Sequence, residues 1–140
     1  MDYVSLHGHR ATEYFERYEY SHTLSSIERF FFSEFCDNYL EIIKQRFWNE
    51  DQNIAIEYIE AARFTLFSVL FGILKLFAPF IPYVTEELYQ IIFYPFGGTK
   101  SIHISEWPEY NKQYIDQEAE KAGNLLIVIL TSIRRWKSTE

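Results

Sequence analysis

The spacing of apolar side chains predicts a chain built mainly of helices. Between residues 21 and 47, apolar positions recur at steps of three and four, which places them on one face of a helix. Ser21 can cap the start of this helix, and the cations Lys44 and Arg46 suit the negative end of its dipole. The apolar face comprises Leu24, Ile27, Phe31, Phe35, Tyr39, Ile42 and Ile43.

Four further segments show helical patterns. We expect a first helix over about 2–18, a third over 54–77, a fourth over 82–94 and a last helix over 117–137, which Asp116 opens. The second half of the third helix is apolar nearly all round, which predicts a central position in the bundle. Because the connections are short, sequential helices should be antiparallel neighbours.

Two prolines mark a corner between the third and fourth helices. Pro79 and Pro82 follow a long apolar run, and proline ends one helix but is tolerated in the first turn of the next. Glu86 and Glu87 would then lie near the start of the fourth helix, where its dipole favours carboxylates. The sequence therefore predicts a rigid helix–Pro–helix corner here.

Residues 99–115 have a different pattern. The stretch 101–108 reads Ser-Ile-His-Ile-Ser-Glu-Trp-Pro, and its alternation of apolar and polar residues predicts a short extended segment lying on the bundle. The predicted fold is an all-α antiparallel bundle of four to five helices, with a short extended insert before the last helix. We expect residues 1–140 to form one domain.

Composition supports a thick core and a reducing environment. Aromatic residues make up 19% of the 140 residues, and such side chains bury large areas. Cys36 is the one cysteine, so no internal disulfide can form. Lys75 and two prolines interrupt the apolar run 64–84, which favours a buried helix over a membrane span, and no signal peptide opens the chain. We expect a cytoplasmic protein without a membrane partner.

The net charge of −7 excludes a protein that binds nucleic acid through overall charge alone. Any anionic partner would meet local basic patches, such as the one formed by Arg134, Arg135 and Lys137 near the end of the chain.

No catalytic or metal site is predicted. His7 and His9 are two residues apart and point to different helix faces, while His22, His103 and Cys36 have no neighbours at ligand spacing. The glycines at 97 and 98 lack the Lys and Ser/Thr of a phosphate-binding loop.

Four motifs together resemble a known domain. They are Phe-Phe-Phe-Ser-Glu-Phe-Cys-Asp-Asn-Tyr-Leu-Glu-Ile-Ile-Lys at 30–44, Ala-Pro-Phe-Ile-Pro-Tyr-Val-Thr-Glu-Glu-Leu-Tyr at 78–89, the stretch at 101–108, and Arg-Arg-Trp-Lys-Ser at 134–138. In order and spacing they resemble the anticodon-binding domain of class I aminoacyl-tRNA synthetases of the valine, isoleucine and leucine group. The valine branch is most similar, although Phe32 and Tyr89 stand where Trp is common.

The resemblance implies that the chain is a fragment of a larger ligase. The parent enzyme would activate valine with ATP and Mg and charge tRNA(Val), whereas this piece lacks the catalytic domain and should be inactive alone. The implied partners are the anticodon stem-loop of tRNA(Val) and the catalytic domain of the same polypeptide. The resemblance implies no cofactor in the fragment itself and a monomeric state.

Basic and aromatic residues near helix ends are the candidates for RNA contact. Such residues stack on unpaired bases and bind phosphates. The candidates are Arg10, Tyr14 and Arg17 on the first helix, Lys44, Arg46 and Trp48 at the end of the second, and Arg134, Arg135 and Lys137 on the last. The last three could instead face a neighbouring domain or the tRNA elbow.

Three alternatives stay open from the sequence. The chain could be a helical-bundle module that binds a protein partner, the equivalent domain of an isoleucyl-tRNA synthetase, or a membrane-associated bundle, which the acidic charge disfavours. A protein-binding module would expose Phe and Tyr without a basic rim.

Overall fold

The computed structural model describes residues 2–48, 54–108 and 116–137. The described chain is helical without strands, which confirms the all-α prediction. It forms two compact units: the first comprises Tyr3–Tyr110 and the second comprises Asn111–Glu140. Its helical elements are α1 (Asp2–Glu16), α2 (Tyr20–Arg29), a π-helical segment (Phe30–Leu40), α3 (Glu41–Phe47), α4 (Ile56–Phe77), α5 (Pro82–Ile92) and α6 (Gln117–Lys137).

The elements α2, the π-helical segment and α3 follow one another without a break, so they form one long helix from Tyr20 to Phe47. The sequence predicted this helix but not its π-helical turns. Hydrogen bonds from i to i+5 widen the turn, so residues four apart lie nearly above one another. The rings of Phe31 and Phe35 stack at 6.2 Å, and those of Phe35 and Tyr39 at 5.9 Å.

This long helix packs antiparallel against α4. Phe31 meets Phe77, the last residue of α4, edge-on at 5.8 Å. Further along the long helix, Tyr39 packs against the same buried cluster as Leu66, which lies nearer the start of α4, and α3 contacts α4 as well. Phe30, Phe35, Val69 and Ile73 form the buried cluster between the two. The helix pair therefore continues toward an end where the last turns of α3 lie beside the first turns of α4.

The proline corner reverses the chain as predicted. Helix α4 ends at Phe77, and α5 begins at Pro82. The buried Thr85 hydroxyl is 3.1 Å from the carbonyl oxygens of both Ile81 and Pro82, which satisfies polar groups in the first turn of α5. The returning helix stacks on α4 through Phe71 and Tyr89, whose ring centroids are 5.8 Å apart.

Two helix ends differ from the sequence prediction. Helix α1 ends at Glu16, two residues early, because Tyr18 adopts a left-handed backbone conformation with φ of 61°. Helix α5 ends at Ile92 and is followed by the single 3₁₀ turn Tyr94–Phe96. A terminal 3₁₀ turn is a common way to finish a helix.

The insert lies on the bundle, but it is not a continuous extended segment. Ser101 and Ser105 have extended backbones, and the 3₁₀ turn Ile102–Ile104 separates them. Residues 109–115, also part of the predicted segment, lie outside the described residues.

The Glu86 carboxylate on α5 fixes this insert. Its Oε2 accepts hydrogen bonds from the Ser101 hydroxyl (2.8 Å) and the Ile102 amide (3.0 Å), and its Oε1 accepts one from the Gln90 side chain (2.7 Å). Partial burial alone would raise the pKa of Glu86, but these hydrogen bonds and the nearby His103 outweigh burial and hold the pKa below its usual value. From the sequence, Glu86 was predicted only to suit the helix dipole. In the structure its main role is to bind the insert through hydrogen bonds.

The other end of the insert is attached to α1. The indole Nε1 of Trp107 donates a hydrogen bond to the Thr12 hydroxyl at 2.8 Å, and its ring lies 5.6 Å from that of Phe15. Trp107 also packs against the buried cluster that contains Ala11, Ile27 and Leu76. The insert thus connects α5 to α1 within the first unit.

In the second unit, Asp116 caps α6 as the sequence predicted. Its Oδ1 accepts hydrogen bonds from the amides of Glu118 (3.0 Å) and Ala119 (3.1 Å). Among the residues that the structure describes, no helix has both the length and the hydropathy needed to cross a bilayer.

We expect Glu86→Gln to lower the free energy of unfolding by about 1–3 kcal/mol at neutral pH, because hydrogen bonds to a charged acceptor are lost. The folded-state pKa of Glu86 is depressed, so its contribution is present above the unfolded-state pKa and disappears as pH falls through the folded-state value. The difference between variant and parent should therefore shrink below about pH 4.

Urea unfolding at neutral and acidic pH measures this difference. Glu87→Gln is the matched control, since Glu87 is the exposed neighbour on the same helix. Equal losses in the two variants, or a Glu86→Gln loss that is the same at every pH, would contradict the assigned role.

Candidate nucleic-acid interface

The nine residues predicted to contact RNA lie in three separate places. Arg10, Tyr14 and Arg17 belong to α1 and the turn after it, and Lys44, Arg46 and Trp48 lie at the end of α3. The last set lies in the final turn of α6, in the second unit: Arg134, Arg135 and Lys137.

The first two sets lie near opposite ends of the long helix. At about 1.5 Å per residue, a helix from Tyr20 to Phe47 spans roughly 40 Å, and somewhat less through its wider π-helical turns. Arg17 lies just before its first residue and Trp48 just after its last. The structure therefore does not bring these two sets together into one site.

The α1 set is partly structural. Tyr14 is half-buried, and its ring meets that of His22 edge-on at 5.7 Å. Arg10 and Arg17 are exposed, but the same stretch carries the exposed acids Glu13, Glu16 and Glu19. The local charge at this end is thus slightly negative, which does not attract a phosphate backbone.

The three residues of the α3 set differ from one another in their exposure and in their ion pairs. Trp48 is 68% exposed and directly follows the helix. Lys44 is exposed and pairs with Glu41 at 3.4 Å, whereas Arg46 is half-buried. A large free indole face beside two cations is an arrangement that can stack on a base and bind phosphate.

The start of α4 adds residues that the sequence analysis missed. Helix α3 contacts α4, and continuing the antiparallel packing of the two helices brings the end of α3 beside the first turns of α4. There Tyr58 is 62% exposed and Phe64 59% exposed, and the exposed Arg63 pairs with Glu60 at 2.8 Å. We call the exposed and half-buried basic and aromatic residues of these two adjoining helix ends the aromatic–basic end; they are Lys44, Arg46, Trp48, Tyr58, Arg63 and Phe64.

A signal for these residues was present in the sequence. Glu60 and Arg63 are charged residues of the amphipathic first half of the third helix, which places them on its outer face, and Phe64 lies one turn after Glu60 on that same face. A large aromatic side chain on a charged, solvent-facing stripe is an indication of a contact surface.

Other chemistry is not apparent in the described residues. Within the ranges 2–48, 54–108 and 116–137, no three His, Cys, Asp or Glu side chains are arranged to hold a metal ion. Burial raises the pKa of the Cys36 thiol, as does the neighbouring charge of Asp37, so the reactive thiolate is disfavoured.

Comparison with known proteins gives the context of this surface. The family model described as the anticodon-binding domain of tRNA ligase matches residues 8–140. The valine–tRNA ligase of Pyrococcus furiosus is 39% identical over 129 residues, which is 92% of this chain and 14% of the relative. The valine–tRNA ligase of Orientia tsutsugamushi is 42% identical over 123 residues, 86% of this chain and 14% of the relative.

A third relative matches the chain at a similar identity and over a similar share of both sequences. The valine–tRNA ligase of Ehrlichia ruminantium (strain Welgevonden) is 39% identical over 130 residues, covering 92% of this chain and 15% of the relative. The chain thus spans about one seventh of the length of the curated relatives it matches. With a family model matched over nearly its whole length and a helical fold that agrees, the chain belongs to the anticodon-binding domains of tRNA ligases.

Proposed function

We propose that this chain binds the anticodon stem-loop of tRNA(Val) and that it does so through the aromatic–basic end. The observation that carries the proposal is that exposed aromatic side chains and cations occur on both of these adjoining helix ends: Trp48 with Lys44 and Arg46 on α3 and just after it, and Tyr58 and Phe64 with Arg63 on α4. Proteins recognise single-stranded RNA loops by stacking bases on aromatic side chains while cations bind the phosphates.

The basic residues also favour RNA over a protein partner. A protein-binding module would expose aromatic side chains without a basic rim, whereas three cations accompany the aromatics here. The acids Glu41 and Glu60 pair with Lys44 and Arg63, and the exposed Glu57 lies in the first turn of α4, so the charge of these cations is balanced before RNA arrives. We therefore expect weak binding that depends strongly on salt.

We further propose that the parent protein is a valine–tRNA ligase, since the relatives described above carry that name. The parent enzyme would use ATP and Mg to activate valine, and its catalytic domain would be the intramolecular partner of this chain, within a monomer in the cytoplasm. Both cofactors would bind to that catalytic domain of the longer protein.

Replacing an aromatic side chain at the aromatic–basic end should weaken binding of the anticodon hairpin. We expect Trp48→Ala and Tyr58→Ala each to raise Kd by about 5- to 100-fold, since stacking on one base is worth about 1–3 kcal/mol. Filter binding at low salt measures this. Tyr83→Ala is the matched control, because Tyr83 is 89% exposed on α5, away from this end.

The same assay decides between the two ends of the long helix. Wild-type affinity in Trp48→Ala and Tyr58→Ala, together with weakened binding in Arg10→Gln or Arg17→Gln, would move the interface to α1. Equal affinity for the hairpins of valine and isoleucine tRNAs would refute the valine assignment.

A charge removed from the interface should reduce the salt dependence of binding. For Arg63→Gln, the slope of log Kd against log salt concentration should fall by about 0.7–0.9, the value for one lost phosphate contact. Arg17→Gln, which removes an exposed arginine at the other end, should leave the slope unchanged. The proposal fails on this point if both variants change the slope equally.

We expect no valine-dependent exchange of pyrophosphate into ATP by the 140-residue chain, because the chemistry of activation would be performed by the catalytic domain. The control is the full-length parent enzyme under the same conditions. Valine-dependent turnover by the chain alone would contradict this expectation.

A further inference from the structure

We infer that Phe67 and Phe96 form a second stacking site, which receives an unpaired base of the anticodon loop in addition to the bases bound at the aromatic–basic end. This inference rests on the proposed function and adds a site to it, since neither residue belongs to the aromatic–basic end. It depends on the contact between the two rings, the rigid turn that carries Phe96 and the charge of the surrounding chain.

The rings of Phe67 on α4 and Phe96 on the 3₁₀ turn after α5 contact each other. Their centroids lie 5.6 Å apart at an interplanar angle of 82°, the edge-to-face geometry that aromatic rings favour. Phe67 is 39% exposed and Phe96 is 79% exposed, so the contact leaves most of the Phe96 ring open to solvent. The two residues, which we call the Phe67–Phe96 pair, therefore present an open aromatic surface.

Buried rings support the pair from the core side. Phe67 lies 4.6 Å from Phe93, which is buried, and Phe93 stacks on Phe71 at 4.9 Å. Phe71 stacks in turn on the buried Tyr89. The position of the Phe67 ring is thus fixed by the core before any ligand binds, and a contact group ordered in advance loses less entropy on binding.

The 3₁₀ turn holds Phe96 from the other side. Pro95 restricts the backbone of this turn, and the Phe96 amide donates a hydrogen bond to the Phe93 carbonyl at 3.0 Å. The Gly97 amide donates one to the Tyr94 carbonyl at 3.1 Å. Gly97 has a φ of 95°, a conformation that glycine adopts without strain. The turn therefore presents the Phe96 ring to solvent on a defined backbone.

The chain that follows the turn is attached to the core. The buried Tyr89 hydroxyl donates a hydrogen bond to the Thr99 carbonyl at 2.7 Å. A Cβ atom at Gly98 would lie only 2.7 Å from that hydroxyl oxygen, so glycine is required for this close approach. Both ends of the segment that carries Phe96 are thus fixed, and its exposed ring is a rigid feature of the surface.

The charge around the pair suits an RNA backbone. Positions 88–105 contain no acidic residue, although the chain has 20 Asp and Glu among its 140 residues. The exposed Lys100 lies in this stretch, and its carbonyl accepts a hydrogen bond from the Gln90 side chain at 2.7 Å. A base can therefore stack on the rings without its phosphate meeting a carboxylate of this stretch, while Lys100 supplies a cation.

The pair also continues the aromatic–basic end along α4. Phe64 and Phe67 are three residues apart and both exposed, so they share the outer face of the helix. Three residues of α-helix rise about 4.5 Å, which is comparable with the roughly 3.4 Å between stacked bases of one strand. This continuity favours a base of the same loop over a separate protein partner as the occupant.

The test is binding of the anticodon hairpin of tRNA(Val) to the 140-residue chain, with changes at residue 96 that separate stacking from apolar contact. Phe96→Ala removes the ring, Phe96→Leu keeps apolar bulk without an aromatic face, and Phe96→Trp keeps an aromatic face. Tyr83→Ala is the matched control, since Tyr83 is an exposed aromatic residue at the opposite end of α5. Urea unfolding of each variant establishes that it is folded in the binding assay.

We expect Phe96→Ala and Phe96→Leu each to raise Kd by about 5- to 100-fold, the loss of stacking on one base. Phe96→Trp and Tyr83→Ala should keep the parental affinity. Phe67→Leu should weaken binding in the parent and have no further effect in Phe96→Ala, because the two rings act as one site.

Hairpins in which 2-aminopurine replaces one loop base at a time identify the base that is bound. At one loop position, the change in 2-aminopurine fluorescence on binding should be lost in Phe96→Ala and retained in Trp48→Ala. Loss at the same position in both variants would contradict a second, separate site.

Parental affinity in Phe96→Ala would overturn the inference. Parental affinity in Phe96→Leu would also overturn it, because it indicates an apolar contact of the kind that a protein surface makes. So would an equal loss of affinity for a fully paired RNA duplex, which offers no unpaired base. If the Phe96 variants bind like the parent while Trp48→Ala weakens binding, the inference fails and the proposed function stands. If no variant at either place changes Kd, the proposed function fails as well.

Discussion

The packing of the long helix against α4 is the constraint on which the rest of the molecule depends. Wider π-helical turns place Phe31, Phe35 and Tyr39 above one another, and this stack meets α4 along its buried face. This antiparallel register then brings the end of α3 beside the start of α4. Residues from two helices form the aromatic–basic end because of this register, so the core determines the geometry of the interface.

The sequence motifs of this chain serve mainly to maintain that scaffold. Glu86, in the motif after the proline corner, binds Ser101 and Ile102, and Trp107 of the next motif binds Thr12 on α1. The residues that make the family recognisable are thus largely those that join its elements. The residues proposed to contact RNA lie mostly outside these motifs, on exposed helix ends where side chains can vary without loss of the fold.

Helical periodicity and proline chemistry were sufficient to predict the fold class, the corner at Pro79 and Pro82, and the cap of α6 by Asp116. They could not predict the π-helical turns, because those depend on how the aromatic rings settle against α4. Nor could they show that Arg17 and Trp48 lie at opposite ends of one helix, or that the end of α3 lies beside the start of α4. Such proximity is a product of tertiary packing, which a one-dimensional pattern does not contain.

The three tryptophans allow the most direct test of where RNA binds. Trp48 lies at the aromatic–basic end, Trp107 packs against α1, and Trp136 lies in the last turn of α6. Their indole N–H signals can be followed by ¹⁵N-resolved NMR while the anticodon hairpin of tRNA(Val) is added. We predict that the Trp48 signal shifts or broadens and that the Trp107 signal does not. A shift at Trp107 or Trp136 with Trp48 unchanged would contradict the account.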